Sequence, residues 1–267
     1  MMSRDQILEA ARALAEAEAT RQKIGLSSVQ YPAMTLDDAY AVQAVLVASK
    51  IAQGQRQIGW KIGLTSRAMQ QALGISTPDS GVLLHDMLFA DGATVAAGRF
   101  IQPRVEAEIA FVMQADLAGA EVGRADVVAA TDYVAPSLEI LDTRILRVDP
   151  ATGQGRKIVD TVSDNAANAG LVLGTARHAL GAQDLRWVGA ILKRDGVVEE
   201  TGLGAGVLDD PVTGIVWLVR RLAQYGQGLR AGDIVLSGSF IRPLECPAGS
   251  VIEADFGAFG QVSVRFA

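Results

Sequence analysis

The chain has 267 residues, 49% of them hydrophobic and 20% charged, with a formal net charge of −6. This length can bury a large core without disulfides, and the single cysteine, Cys246, excludes an internal disulfide and favours a reducing, cytoplasmic location. The acidic balance argues against nucleic-acid binding, no apolar run is long enough to span a membrane, and the acidic N-terminus predicts no export signal. The mean hydropathy of +0.24 indicates either a subunit interface or a large core of small apolar residues.

The first 55 or so residues have helical periodicity. Ser3 can cap a helix to about residue 23, and Thr35 can cap a second one to about residue 53. Short β-type runs separated by turn residues then predict strands at 57–62, 105–113, 134–141, 169–173, 187–193, 233–236, 251–255 and 261–266. Further helices are expected at about 66–73, 124–130 and 211–225. This irregular order argues against a doubly wound parallel sheet and predicts an α+β fold with an N-terminal helical segment, 1–55, and a mostly β core, 56–267.

Two glutamates stand two residues apart in the most strongly β-like run, 105–113. Alternate residues of a strand face the same side, so Glu106 and Glu108 share one face. Glu139 is a third acid inside an apolar run. Three carboxylates without a nearby histidine or cysteine are typical of an oxygen-ligand site for Mg²⁺ or Mn²⁺ and do not suit zinc. The alternative is an edge strand whose glutamates face solvent, with Glu139 unrelated.

Lysine is scarce, and Lys61 is the one lysine embedded in an apolar strand. A buried ammonium needs a partner, such as a substrate carboxylate, and a lowered pKa would let it move protons. The alternative is a lysine whose side chain reaches solvent. Asp79 follows Pro78 at the start of an apolar strand and is either a turn former or an acid beside the carboxylates.

Several catalytic motifs are missing. The chain has two histidines and no Gly-x-Ser-x-Gly sequence, which argues against a serine or cysteine triad. Segment 202–206 is glycine-rich but lacks the third glycine of a dinucleotide fingerprint, so it predicts a bend with close backbone packing. Arg156 and Lys157 are either a solvated pair in a loop or contacts for an anionic substrate tail.

The motifs combine in seven segments: 61–66, 77–84, 104–110, 138–142, 160–166, 231–238 and 257–266. Together they resemble the hydratase/decarboxylase branch of the fumarylacetoacetate hydrolase superfamily over nearly the whole chain. Segments 149–153, 156–157 and 200–208 resemble in particular the subgroup that acts on 2-oxohept-4-ene-1,7-dioate in homoprotocatechuate degradation.

The resemblance implies a mixed β-roll or barrel-like core and a homo-oligomer. It implies that a divalent cation, Mg²⁺ with Mn²⁺ as the alternative, is held by Glu106, Glu108 and Glu139. It also implies that Lys61 and Asp79 line the substrate site as the catalytic pair. The further candidate substrate contacts are Leu84, Arg156, Lys157 and Asn165.

The activity that the resemblance implies is that of a hydro-lyase in aromatic meta-cleavage catabolism. Such an enzyme adds water to a 2-hydroxy-dienoate or its 2-oxo-enoate tautomer. Asp79 favours hydration over a 4-oxalocrotonate-type decarboxylation, because we expect an apolar residue there in decarboxylases. A 2-hydroxypentadienoate-type hydratase and a non-catalytic partner subunit stay open as well. A C–C bond hydrolase is disfavoured, because the resemblance gives that class a histidine on an N-terminal lid and no histidine precedes His85.

Overall fold

The computed structural model describes residues 1–67, 70–71 and 75–267. Its α-helices, numbered here in chain order among the described residues, are α1 (Arg4–Thr20), α2 (Ser27–Gln30), α3 (Leu36–Ala52), α4 (Arg124–Ala130), α5 (Ile158–Ser163) and α6 (Pro211–Ala223). Short 3₁₀ turns connect several of the strands. No helix among these residues combines the length and the apolarity needed to cross a bilayer.

The larger of two sheets has eight strands. Seven strands follow the order β2-β1-β10-β5-β6-β7-β3, and β11 pairs with the start of β5. Their bounds are β1 (Gln57–Gly63), β2 (Asp79–Leu84), β3 (Leu88–Phe89), β5 (Arg104–Met113), β6 (Thr131–Leu141), β7 (Asn168–Leu173), β10 (Ile234–Ser239) and β11 (Leu244–Glu245). Because β5 lies between β10 and β6, it is a central strand, and the alternative of a solvent-facing edge strand for its glutamates is wrong.

The second sheet has five strands in the order β4-β13-β12-β8-β9. They are β4 (Thr94–Val95), β8 (Gly189–Arg194), β9 (Val197–Leu203), β12 (Val251–Asp255) and β13 (Gln261–Phe266). After β9 the chain turns in a 3₁₀ helix over Gly204–Gly206. The close backbone packing expected at 202–206 is confirmed, because a Cβ on Gly202, within β9, would lie 1.9 Å from the carbonyl oxygen of Phe240. Only glycine permits this approach.

The N-terminal helices form a second apolar cluster. Ser3 and Thr35 cap α1 and α3 as the sequence predicts, each in a capping box with the residue three positions later. Leu14, Val42 and Leu46 pack in this cluster together with Val162 of α5.

The mixed α+β architecture and its long elements agree with the sequence analysis. Helix α4 lies where it is predicted, and the strands at 251–255 and 261–266 have the predicted bounds. Helix α5 and strand β9 are not predicted by the sequence patterns. The helix predicted at about 66–73 falls partly on residues outside the described ranges.

Candidate active site

Strands β5 and β6 bring the three predicted carboxylates together. Glu106 lies directly opposite Glu139 in the antiparallel ladder, and Glu108 follows on the same face of β5. One carboxylate oxygen from each residue can be chosen so that all three lie within 4.8 Å of one another. Like charges directly opposite each other destabilise a sheet unless a cation compensates them.

Burial makes this cluster electrostatically costly. Glu108 and Glu139 are 0% exposed, and Oε2 of Glu139 and Oε1 of Glu108 lack a hydrogen-bond partner among the described residues. Burial and the neighbouring Glu139 carboxylate raise the pKa of Glu106 to about 8. The same two causes raise the pKa of Glu108 well above its usual value. Three converging carboxylates with unpaired oxygens fit a hard divalent cation.

The backbone of β10 orients one of these carboxylates. The N–H of Gly238 donates a hydrogen bond to Oε2 of Glu108 over 2.8 Å. This amide lies where the pairing of β10 with β5 shifts register, between Leu236 and Ser239. Gly238 has a φ of +111°, and a Cβ at this position would lie 2.3 Å from Oγ1 of Thr65. A glycine is therefore required at this irregularity.

Lys61 extends from β1 into the carboxylate cluster. Its Nζ lies 3.2 Å from Oε1 of Glu139, and the residue is 3% exposed, so its side chain does not reach solvent. Two strands separate β1 from β6, a distance of about 14 Å in a flat sheet, so the sheet must curl around the cluster. Burial disfavours the ammonium, but Glu139 and Asp79 outweigh it and raise the pKa of Lys61. Lys61 is therefore a fixed positive charge in the metal-free protein.

Asp79 begins β2 opposite Gly63 and is not a turn residue. It is 2% exposed, and its Oδ1 has no hydrogen-bond partner among the described residues. Burial raises the pKa of this carboxyl, an effect that Lys61 opposes. A Cβ on Gly63 would lie 2.3 Å from Oδ1 of Asp79 and 3.1 Å from Nζ of Lys61. The missing side chain of Gly63 thus leaves room for both groups.

Leu84 and Asn165, two of the residues predicted to contact the substrate, are buried among other residues of the protein. Leu84 is fully buried at the far end of β2 from Asp79, five residues and about 17 Å along the strand. The side-chain amide of Asn165 forms two hydrogen bonds with the backbone of Val82, accepting from its N–H over 2.8 Å and donating to its C=O over 2.9 Å. The structure does not bring Leu84 to the carboxylates, and the amide of Asn165 is already occupied.

The other two candidates lie on the loop that follows β6. Lys157 is exposed, and its backbone N–H donates to Oδ2 of Asp160 at the start of α5. Arg156 is half-buried, and its guanidinium donates to Oγ1 of Thr143.

Three residues of the candidate site are not singled out by the sequence patterns: Gly63, Gly238 and Arg104. Arg104 lies two residues before Glu106 on the same face of β5, and its Nε is buried without a hydrogen-bond partner among the described residues. The strand alternation that places Glu106 and Glu108 on one face also places Arg104 there, so the sequence is sufficient to predict that Arg104 lies beside them. The two glycines matter because a side chain at either position would collide with neighbouring groups. A sequence pattern does not reveal such a restriction.

Curated relatives match this chain almost from end to end. The 2-oxo-hept-4-ene-1,7-dioate hydratase of Escherichia coli is 48% identical over 96% of this chain and 96% of its own length. The 2-keto-4-pentenoate hydratase of Paraburkholderia xenovorans is 39% identical over 99% of this chain and 96% of its own length. No family profile matches the chain.

Two solved structures have a fold similar to that of this chain. The 4-oxalocrotonate decarboxylase of Pseudomonas putida G7, complexed with magnesium and adipate, covers 100% of this chain and 99% of its own, with a TM-score of 0.93 and 33% identity. A fumarylpyruvate hydrolase of Pseudomonas aeruginosa, at 15% identity and a TM-score of 0.59, shares the fold over 79% of this chain and 89% of its own. The chain therefore belongs to the hydratase/decarboxylase branch of the fumarylacetoacetate hydrolase superfamily.

Proposed function

We propose that this chain is a divalent-metal-dependent hydro-lyase that hydrates 2-oxohept-4-ene-1,7-dioate to 4-hydroxy-2-oxoheptane-1,7-dioate. The observation that carries the proposal is the buried pair of Lys61 and Asp79 next to a three-carboxylate cluster. The 48% identity to a hydratase of this name supports the choice of substrate.

Glu106, Glu108 and Glu139 would hold the metal ion. The all-oxygen ligand set favours Mg²⁺, with Mn²⁺ as the alternative, and the related decarboxylase is complexed with magnesium in its solved structure. When bound, such an ion supplies Lewis acidity to the oxygens of a 2-oxo acid. Its positive charge would also compensate the facing carboxylates of Glu106 and Glu139.

Asp79 is the proposed acid and base. We assign to its carboxyl, whose pKa is raised by burial, the delivery of a proton to C5 of the 2-hydroxy-dienoate. The carboxylate that remains takes a proton from the water that adds at C4, and this proton passes to C3. The proton released from the 2-hydroxyl restores the acid, so protons balance over the cycle.

Lys61 is the proposed electrostatic partner. Its ammonium is buried and charged, and it lies between the carboxylate of Glu139 and the catalytic acid. In this position it can bind the C1 carboxylate of the substrate and stabilise negative charge that develops on the 2-oxygen. Leu84, Lys157 and Asn165 carry no step of this mechanism.

The decisive experiment incubates the pure protein with Mg²⁺ and a panel of 2-hydroxydienoates with and without a distal carboxylate. We expect loss of the dienol absorbance and a product heavier by one water in mass spectrometry. Release of CO₂ from a 2-oxo-3-enedioate would instead identify a decarboxylase. A protein that acts on no member of the panel would favour the non-catalytic alternative.

Two variants test the assigned roles. Glu108→Gln should abolish metal-dependent hydration, and Asp79→Asn should lower turnover by roughly a hundred-fold or more, as is typical for a lost general acid or base. Glu253→Gln changes an exposed glutamate of β12 and is the matched control for the first variant. Near-normal turnover in Glu108→Gln and Asp79→Asn would contradict the assignment.

We also propose that copies of this chain associate. Trp187, Val197, Val198 and Leu203 lie on or beside β9, the terminal strand of the five-stranded sheet, and are 44–73% exposed. Light scattering should give a mass that is a multiple of 28.1 kDa. Val198→Lys should shift the distribution toward the monomer. A wild-type mass of one chain at all concentrations would contradict this proposal.

A further inference from the structure

Three arginines lie together beside the carboxylate cluster. Arg104 precedes Glu106 on the same face of β5, about 6.7 Å along the strand. Arg147 and Arg156 come from the loop after β6, the strand that carries Glu139. Glu245 lies opposite Arg104 in the pairing of β11 with β5, and its carboxylate forms an ion pair with Arg147 over 3.2 Å. We call Arg104, Arg147 and Arg156 the arginine cluster.

A hairpin fixes two of these arginines side by side. Val148 pairs with Gly155, and the N–H of Arg156 donates to the C=O of Arg147 over 2.9 Å. Arg147 and Arg156 are therefore direct cross-strand neighbours with side chains on one face. Like charges in this arrangement destabilise a hairpin by themselves. An anion bound between them would remove that penalty.

Few carboxylates compensate the arginine cluster. Arg147 forms an ion pair with Glu245 over 3.2 Å, and both side chains are about half exposed. Within the described ranges, Arg104 and Arg156 form no ion pair, and Arg156 instead donates to a threonine hydroxyl. The nearest acid on β5, Glu106, belongs to the proposed metal site. The guanidinium groups of Arg104 and Arg156 therefore have no carboxylate partner of their own in the described part of the chain, although Asp164 and Asp160 also act on Arg156.

The loop is held in place before any ligand binds. Arg144, next to the hydroxyl that Arg156 contacts, forms a buried ion pair with Asp164 over 2.5 Å. Its guanidinium also donates to the backbone carbonyl of Asn168 over 3.2 Å. Buried Arg–carboxylate pairs with several hydrogen bonds fix geometry well. The contacts of Arg144 therefore help to fix the loop that carries Arg147 and Arg156.

We propose that the arginine cluster is a carboxylate subsite that binds the second carboxylate of a dicarboxylic substrate whose first carboxylate lies at the metal centre. This inference rests on the proposed function and adds to it the residues that select diacids over monoacids. Guanidinium groups match a carboxylate with paired N–H donors. The buried, unpartnered Nε of Arg104 supplies one donor that no group of the described protein uses.

The test compares two substrates that differ at the distal end. The quantity measured is the ratio of kcat/KM for 2-hydroxyhepta-2,4-diene-1,7-dioate to kcat/KM for 2-hydroxypenta-2,4-dienoate. Arg104→Met, Arg147→Ala and Arg156→Ala should each lower this ratio by roughly ten- to a hundred-fold, as expected for a lost charged hydrogen bond. Arg104→Lys should retain part of the preference. Arg12→Ala, an exposed arginine on α1, is the matched control.

An equal loss on both substrates would overturn the subsite. It would show that Arg104 only supports Glu106, and a matching loss of Mg²⁺ affinity in Arg104→Met would lead to the same conclusion. Failure of the proposed function is distinguishable, because calorimetry on the Mg²⁺-loaded protein needs no turnover. Heptanedioate should bind more tightly than hexanoate, and the three variants should remove the difference. Equal binding of the two acids to the unmodified protein would also overturn the subsite.

Discussion

At the scale of single residues, the proposed catalytic pair needs the space that a glycine leaves free. Lys61 and Asp79 converge above Gly63, which pairs with Asp79 across the β1–β2 ladder. Any larger residue at this position would occupy the volume in which the carboxyl and the ammonium lie. In the proposed mechanism the glycine thus has a role without a functional group of its own, because it leaves space for Lys61 and Asp79.

Gly63→Ala should lower turnover by roughly ten- to a hundred-fold, because small displacements of catalytic groups have effects of this size. The added Cβ would lie 2.3 Å from Oδ1 of Asp79, while the metal ligands keep their places. The measurement is kcat together with Mg²⁺ affinity. Gly25→Ala is the control, because nothing lies within 4 Å of a Cβ there and its φ is not in the left-handed region. Equal activity of the two variants would refute this role.

At the scale of elements, the irregular pairing of β10 with β5 orients Glu108, one of the three proposed metal ligands. A regular ladder would commit the amide of Gly238 to the neighbouring strand, whereas here it donates to Oε2 of Glu108. Irregular positions of this kind are frequent next to active sites because they redirect hydrogen-bonding groups. The carboxylate is consequently held before the metal ion arrives.

Gly238→Ala should weaken Mg²⁺ binding by roughly ten-fold or more, as expected for loss of a hydrogen bond to a charged group. Alanine is strained at a φ of +111° and would also collide with Thr65. Gly249→Ala is the matched control, because its φ of +87° gives comparable backbone strain with nothing within 4 Å. Calorimetric titration with Mg²⁺ compares the two variants. Similar affinities would show that backbone strain alone, and not the contact with Glu108, accounts for any loss.

The sequence predicts those elements whose residues alternate or repeat with burial. Helix α3 is of this kind, and strand β5 is recognisable because nearly all of its residues are buried. Strand β9 was missed because its residues 197–199 are exposed and its structure depends on pairing with β8. Glu106 lies opposite Glu139 because of the pairing register between β5 and β6, which are far apart in the sequence. Local patterns contain no information on that register, so the resemblance was needed to join the three acids.

At the scale of the whole molecule, the carboxylate cluster links stability to pH and to metal. The pKa of Glu106 is about 8 in the folded protein against an ordinary value of 4.5. Between these values the folded state holds a proton that the unfolded chain has lost. The stability of the metal-free protein therefore decreases as the pH rises through this window. A metal ion binds the ionised carboxylates, so its stabilising effect increases over the same window.

We expect the Mg²⁺-induced rise in Tm to grow between pH 5 and pH 8 and to level off above it. At a metal concentration of a hundred times Kd, binding adds about 2.7 kcal/mol to the free energy of unfolding, equivalent to several degrees. Thermal unfolding in excess Mg²⁺ or in EDTA measures the rise. In Glu106→Gln the metal-free protein should lose part of the pH dependence. A rise in Tm that is the same at pH 5 and pH 8 would contradict this linkage.

The contact between Asn165 and Val82 has a consequence for association between chains. Strand β2, which carries Asp79, is the terminal strand of the eight-stranded sheet, and such strands can recruit a strand from another molecule. The amide of Asn165 occupies both backbone groups of Val82 as a neighbouring peptide would. Its backbone carbonyl passes so close to Gly81 that a Cβ there would lie 2.6 Å away. Asn165 therefore blocks the addition of a further strand at this position of β2.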